Sequence, residues 1–120
     1  MQFEDWQELK QLCPIIDGTW NEEFLREYLV QSCNRNFSKQ IETFFLEYRN
    51  DGQLADLLFS FLLNDDYDGS DAQMGAAYFI SKLDKQLLKT RKALLLKAQK
   101  NEVYWKRPFP QDAHLEWLEK

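Results

Sequence analysis

The sequence contains few of the residues that interrupt helices. Its 120 residues include four glycines and three prolines, and β-branched residues are scarce. Glycine and proline destabilise helix interiors, and β-branched residues favour strands, so this composition favours helices. Aromatic residues make up 15% of the chain, which argues against disorder. A chain of this length can bury roughly two-thirds of its surface. We therefore predict a single all-α domain over residues 1–120.

Long apolar runs are also missing. No stretch approaches the ~20 apolar residues that a membrane-spanning helix needs. The first ten residues carry acidic side chains and no apolar core, so we expect no signal peptide. The two cysteines, Cys13 and Cys33, are then expected as reduced thiols in the cytoplasm. A disulfide between them is the less favoured alternative.

Residues for catalysis are scarce as well. His114 is the only histidine, which excludes paired-histidine catalysis and histidine-rich metal sites. Glycine-rich phosphate loops and Gly-x-Ser-x-Gly turns do not occur. Cys13 has no basic neighbour in the sequence and is interpreted as a small buried apolar residue. We therefore expect a protein that is not an enzyme and that holds no cofactor or metal.

Apolar spacing predicts where the helices lie. Helices are expected over about 3–13, 20–33, 38–50, 54–63, 71–83 and 84–100, followed by a proline-interrupted segment and a short terminal helix. Residues 15–18 are assigned to a turn. Thr19 with Glu22 has the spacing of a capping box, and Ser38 is the expected cap of the third helix.

The chain is organised around residues 54–83, which are predicted to form a helical hairpin. Ser70 and Gln73 form a second capping box at the start of its second arm. In that arm Gly75, Ala76 and Ala77 are small, so a neighbouring helix can approach closely. The helix pairs 19–33/38–50 and 54–63/71–83 recur at a spacing near 34 residues, which is within the range of helical repeats.

Residues 71–83 have the pattern Asp-x-x-x-small-Ala-Ala-x-x-x-x-x-Leu, which follows an acid-rich link. This combination resembles a HEAT or armadillo-type repeat. The resemblance implies antiparallel helical hairpins stacked in a short, right-handed HEAT-like array. About three such hairpins are needed to bury a continuous core.

Charge is divided unevenly along the chain. Residues 1–81 contain fifteen acidic and five basic side chains, a balance of −10, whereas residues 82–107 contain nine basic and two acidic ones, a balance of +7. An acidic surface favours a basic protein partner. The basic stretch is interpreted as a solvated helix face, with these apolar residues packed inward: Leu87, Leu88, Leu94, Leu95 and Ala98. The alternative is a phosphate-facing stripe formed by Lys85, Lys89, Lys92 and Lys100.

The link before the second hairpin arm forms an acidic tip with one aromatic residue. Together with a second aromatic segment, it supplies the candidate partner-binding residues: Asp65, Asp66, Tyr67, Asp68, Asp71, Tyr104 and Trp105. The structural alternatives are a solvated loop for the acidic tip and core packing for the two aromatic residues of the second segment. The link also resembles the start of a calcium loop, but Gly75 occupies the position of the bidentate glutamate.

The stretch NDDYDGSDAQMGAAYFISKLD, in a small acidic helical chain, resembles immunity proteins of bacterial contact-dependent growth inhibition, a polymorphic toxin system. The resemblance implies a cytoplasmic protein that neutralises one cognate toxin domain, often a basic nuclease, by covering its active site or a nearby surface. No membrane contact is expected, and nucleic acid is a less favoured ligand. The alternatives are a nucleic-acid-binding or regulatory module that uses residues 82–107, and an adaptor subunit.

Overall fold

The computed structural model describes residues 5–64, 71–101, 106–109 and 115–119, and these residues are mostly helical. The α-helices are α1 (Trp6–Leu9), α2 (Glu22–Gln31), α3 (Ser38–Glu47), α4 (Gly52–Leu63), α5 (Asp71–Ile80), α6 (Lys85–Lys89) and α7 (Lys92–Gln99). Within these ranges, short 3-10 helices cover Lys10–Leu12 and Glu116–Glu119. The prediction of a helical protein is confirmed at this level.

A small β-hairpin interrupts the helical pattern between α1 and α2. Strand β1 (Ile15–Ile16) pairs antiparallel with β2 (Thr19–Trp20), so that Ile15 lies opposite Trp20. The connecting residues Asp17 and Gly18 have φ of 54° and 79°. Asp-Gly is a favoured pair for a two-residue turn in which both residues have positive φ. The twist of such a turn matches the twist of the two strands. The predicted turn is therefore present, but the prediction of a helix beginning at Trp20 is wrong.

Two helices begin differently from the capping patterns in the sequence. Thr19 is held in β2, and the N-cap of α2 is Asn21, whose Oδ1 accepts a hydrogen bond from the Phe24 amide at 2.9 Å. Ser38 is the first residue of α3, and Phe37 precedes it without a side-chain cap. The predicted caps at Thr19 and Ser38 are both wrong. The N-cap directly precedes the first helical residue, a position that Asn21 holds, whereas Thr19 lies two residues earlier in β2.

The long helix predicted over residues 84–100 is divided into α6 and α7. Thr90 donates its hydroxyl to the Leu87 carbonyl at 2.6 Å, and Arg91 leaves helical geometry with φ −118° and ψ 30°. The Arg91 guanidinium binds the Asp56 carboxylate on α4 through two contacts of 3.0 and 3.2 Å. Of the apolar residues predicted to pack inward, Leu94 is instead exposed.

The core is built around α4 and α5. Helix α5 packs between α4 and α2, and α4 also contacts α6 and α7. The buried face of α4 comprises Leu54, Ala55, Leu58, Phe59, Phe61 and Leu62. On the other side of the core, Trp20 contacts an aromatic cluster formed by Phe44, Phe45 and Tyr48.

The small residues of α5 allow α2 to approach closely, as predicted. A β-carbon built on Gly75 would lie 2.7 Å from the Leu29 carbonyl oxygen and 2.9 Å from Oγ of Ser32. Ala76 and Ala77 are buried next to it. A larger residue than glycine at this position would therefore separate α5 from α2.

Both cysteines are free thiols with exposed side chains. The interpretation of Cys13 as a buried residue is wrong, because the adjacent Pro14 takes the buried position. Within the described ranges, no helix has the length and apolar character needed to cross a membrane.

Candidate functional site

Most of the candidate partner-binding residues fall outside the described ranges: Asp65, Asp66, Tyr67, Asp68, Tyr104 and Trp105. The calcium-loop interpretation of residues 64–69 likewise falls largely outside them. Asp71 is described, and it is exposed at the first position of α5. The site can therefore be built from Asp71 onward along α5.

Helix α5 has one exposed face, which we call the outer face. It carries Asp71, Met74 and Tyr78, whose spacing of three and four residues places them on one side of a helix. The side chains of Met74 and Tyr78 are 44% and 46% exposed, which is high for large apolar residues. The rest of the helix is buried against α2 and α4. The outer face is therefore the part of α5 that the fold leaves open to a partner.

Tyr78 is exposed and yet fixed in position by three contacts. Its hydroxyl donates a hydrogen bond to Oε1 of Glu42 on α3 at 2.5 Å, which raises the pKa of Tyr78. Its ring meets the Phe79 ring edge-on at 5.1 Å between centroids, and Nζ of Lys82 lies 5.2 Å from its centroid. Because these contacts favour one side-chain position, binding through Tyr78 would cost less conformational entropy than binding through a side chain without contacts.

A groove of about 600 Å³ lies beside Tyr78, between α2, α3, α5 and residues 107–109. Met74, Phe79 and Phe109 give it apolar walls, and Glu42 contributes a carboxylate. Arg107 also lines the groove, with its Nε donating to the Asn101 carbonyl at 2.8 Å. Apolar walls with a few polar groups are the usual composition of a binding site.

Cys33 lies in the same groove but is unsuited to nucleophilic chemistry. Although Cys33 is exposed as a residue, partial burial of its thiol, followed by the charge of Asp71, raises the pKa of that thiol. The thiol donates to the Asp71 carbonyl at 3.8 Å. Because the thiolate is the reactive form, a raised pKa lowers reactivity at neutral pH.

The basic stretch does not form one continuous exposed stripe. Lys85 lies over the Trp117 ring, with its Nζ 5.5 Å from the centroid. Arg91 pairs with Asp56, and Lys106 is buried. The break between α6 and α7 further separates the lysines that the phosphate-binding alternative groups together.

Glu42, Met74 and Tyr78 were not among the site residues predicted from the sequence. The available signal was the helical position of Met74 and Tyr78, which lie opposite the small buried residues of α5. The contact between Glu42 and Tyr78 joins residues 36 positions apart, so no local pattern could indicate it.

Comparison of the chain with protein-family models, curated proteins and solved structures found no match. Within the described part of the chain, His, Cys, Asp and Glu side chains form no group of three or more that could hold a metal ion. The outer face of α5 and the groove beside Tyr78 therefore provide the basis for a functional proposal.

Proposed function

We propose that this chain is an immunity protein that binds a cognate bacterial toxin domain and neutralises it by covering its active site or substrate surface. The toxin domain is proposed to be a basic nuclease. In this proposal the helices form HEAT-like antiparallel hairpins in a right-handed array, and the protein acts in the cytoplasm. The resemblance of residues 64–84 to immunity proteins supplies the biological role.

The observation that carries the binding role is that Tyr78, on the outer face of α5, is exposed while its hydroxyl is held by Glu42. Tyrosine and methionine are enriched in the cores of protein interfaces, and tyrosine is frequent among residues that dominate binding energy. Tyr78 and Met74 together offer an apolar centre. Glu42 and Asp71 place acidic groups around it.

Charge supports a basic partner. Asp71 directly follows the acidic link that contains Asp65, Asp66 and Asp68. The surface that binds nucleic acid on a nuclease is cationic, so an acidic surface can compete with the phosphates for it. Complementary charge would also increase the rate of association and select the partner. Tyr67, Tyr104 and Trp105 are proposed as further contacts from the sequence.

The nucleic-acid-binding alternative has less support. Cationic residues of the 82–107 stretch make contacts within the protein: Lys82 with Tyr78, Lys85 with Trp117, and Arg91 with Asp56. The chain as a whole is acidic, with a formal net charge of −5, and would repel a polyanion.

A growth test examines the proposed function. The partner that co-purifies with the tagged chain is expressed in a laboratory bacterial host, where we expect it to arrest growth and the intact chain to restore growth. Tyr78→Ala is expected to lose protection. Leu94→Ala, which changes an exposed apolar residue on α7, is the matched control and is expected to protect fully. A partner without toxicity, or full protection by Tyr78→Ala, would contradict the proposal.

Charge reversal separates the two candidate functions. Asp65, Asp66 and Asp68 replaced together by lysine should reduce the association rate constant for the partner by about tenfold at low salt. The matched triple variant replaces Lys85, Lys89 and Lys92 with glutamate. It should leave partner binding intact if the ligand is a basic protein, and it should remove binding if the ligand is nucleic acid.

A further inference from the structure

We infer that the groove beside Tyr78 is a subsite for one arginine side chain of the partner, whose guanidinium pairs with the carboxylate of Glu42. This inference rests on the proposed function, since it assumes a basic protein partner. It assigns that partner a specific chemical feature: an arginine that enters the groove, flanked by apolar residues that contact Met74 and Tyr78.

The carboxylate of Glu42 is only partly used within the protein. Its Oε1 accepts the hydrogen bond from Tyr78, and Oε2 has no donor among the described residues. A carboxylate has acceptor sites on both oxygens and can bind a guanidinium through two parallel hydrogen bonds. Because Glu42 is partly buried, its attraction for a cation is less screened by water than at a fully exposed site.

The walls of the groove suit a guanidinium better than an ammonium group. The accessible rings that line the groove are those of Tyr78 and Phe109, and Met74 adds an exposed apolar side chain, whereas Phe79 lines the groove but is buried. A guanidinium is planar, weakly hydrated and able to stack on aromatic rings, whereas the ammonium of lysine is compact and strongly hydrated. The same walls would contact the methylene groups of the arginine side chain.

Glu42 forms no ion pair with the cations of the described residues. Arg107 donates its Nε to the Asn101 carbonyl, and Lys82 lies over the Tyr78 ring. Neither forms an ion pair with Glu42 in the part of the chain that the structure describes. Glu42 lines the groove together with Arg107 but forms no ion pair with it among the described residues, so its carboxylate can pair with a cation from a partner.

Two blocked peptides test the inference on the purified chain without the partner. One is acetyl-Leu-Arg-Leu-amide, and the other replaces arginine with citrulline, which has nearly the same shape but no charge. The chain contains only two methionines, so Met74 labelled with ¹³C at its methyl group gives a signal that Met74→Leu identifies. We expect the arginine peptide to shift this signal saturably, with an affinity at least about tenfold higher than that of the citrulline peptide.

Glu42→Gln should abolish the preference for arginine, because it removes the charge and keeps the shape. Glu47→Gln is the matched control: it changes an exposed glutamate on the same helix outside this groove and should preserve the preference. Circular dichroism verifies that each variant is folded. Equal shifts with both peptides, no saturable shift, or an unchanged preference in Glu42→Gln would each overturn the inference.

The peptide titration and the growth test have independent outcomes, so one proposal can be rejected while the other is retained. A preference for arginine without any toxic partner would retain the subsite and reject the immunity role. Protection that depends on Tyr78, in a chain that does not prefer arginine, would retain the immunity role and reject the arginine subsite.

Discussion

Gly75 of α5 lies against the backbone of Leu29 in α2, so closely that a β-carbon at position 75 would be 2.7 Å from the Leu29 carbonyl oxygen. Gly75→Ala must therefore push the two helices apart. We expect a loss of about 1 to 3 kcal/mol in the free energy of unfolding, which is typical of overpacking in a core. Urea denaturation measures this change.

Gly52→Ala is the control for that substitution. A β-carbon at Gly52 would meet Nη2 of Arg91 at 3.0 Å, which is the end of a flexible side chain and not backbone. We expect a change within about 0.5 kcal/mol. If Gly75→Ala were as stable as the wild type, the close packing of α5 on α2 would be wrong.

The start of α2 gives a second prediction. Asn21→Ala removes the side chain that caps the Phe24 amide and should cost about 1 kcal/mol in the free energy of unfolding. Thr19→Ala changes an exposed strand residue and should cost less than about 0.5 kcal/mol. The reverse order in a denaturation experiment would favour the capping box that the sequence suggests at Thr19.

This difference illustrates how far the sequence determines the fold. Helical spacing located the helices because burial of an apolar stripe produces it directly, as in α4. The residue at which a helix begins was harder to predict. For α2, both Thr19 and Asn21 are residue types that favour the N-cap, and the choice between them depends on the β-hairpin around Asp17 and Gly18. At the break, Arg91 contacts Asp56, which is 35 residues away, and local periodicity could not indicate this contact.

Tyr28 predicts a loss of stability at alkaline pH. Burial, with a smaller contribution from the nearby charge of Cys13, raises the pKa of Tyr28 from 10.0 to about 12. As pH rises, the unfolded chain would lose the phenolic proton of Tyr28 before the folded chain does. The contribution of this proton to the free energy of unfolding is therefore complete below about pH 10 and declines as pH rises through about 12. The total loss is on the order of 2 to 3 kcal/mol, at about 1.4 kcal/mol per pKa unit.

Urea denaturation between about pH 8 and pH 12 measures this dependence. Tyr28→Phe removes the titrating hydroxyl and should flatten the alkaline decline. Tyr48→Phe changes a less buried aromatic residue and should retain it. An equally steep decline in Tyr28→Phe would show that another group causes the alkaline sensitivity.

The ion pair between Arg91 and Asp56 should contribute modestly to stability. The Asp56 side chain is 58% exposed, so water and salt screen the attraction. A double-mutant cycle with alanine should give a coupling of about 0.5 to 1 kcal/mol at low salt, and less at about 1 M salt. A control double-mutant cycle between Asp56 and Arg49, whose guanidinium donates to the Leu46 carbonyl, should give a coupling near zero. Salt-independent coupling would contradict an electrostatic origin.

The candidate site was less accessible from sequence than the fold. The acidic link was identified from composition, but Tyr78 was not, because exposure and order depend on which helices cover α5. Glu42 and Tyr78 come together only when α3 and α5 are packed. Asp71 belongs both to the site predicted from the sequence and to the site in the structure, since it follows the acidic link and begins the outer face of α5.

The most direct test of the account is affinity purification of the tagged chain from its native strain, with the Tyr78→Ala variant in parallel. Mass spectrometry identifies retained proteins, and the co-purifying nucleic acid is quantified. We expect the wild-type chain to retain a stoichiometric basic protein that Tyr78→Ala loses, with little nucleic acid in either sample. Recovery of RNA or DNA without a protein partner, or equal retention of the protein by Tyr78→Ala, would contradict it.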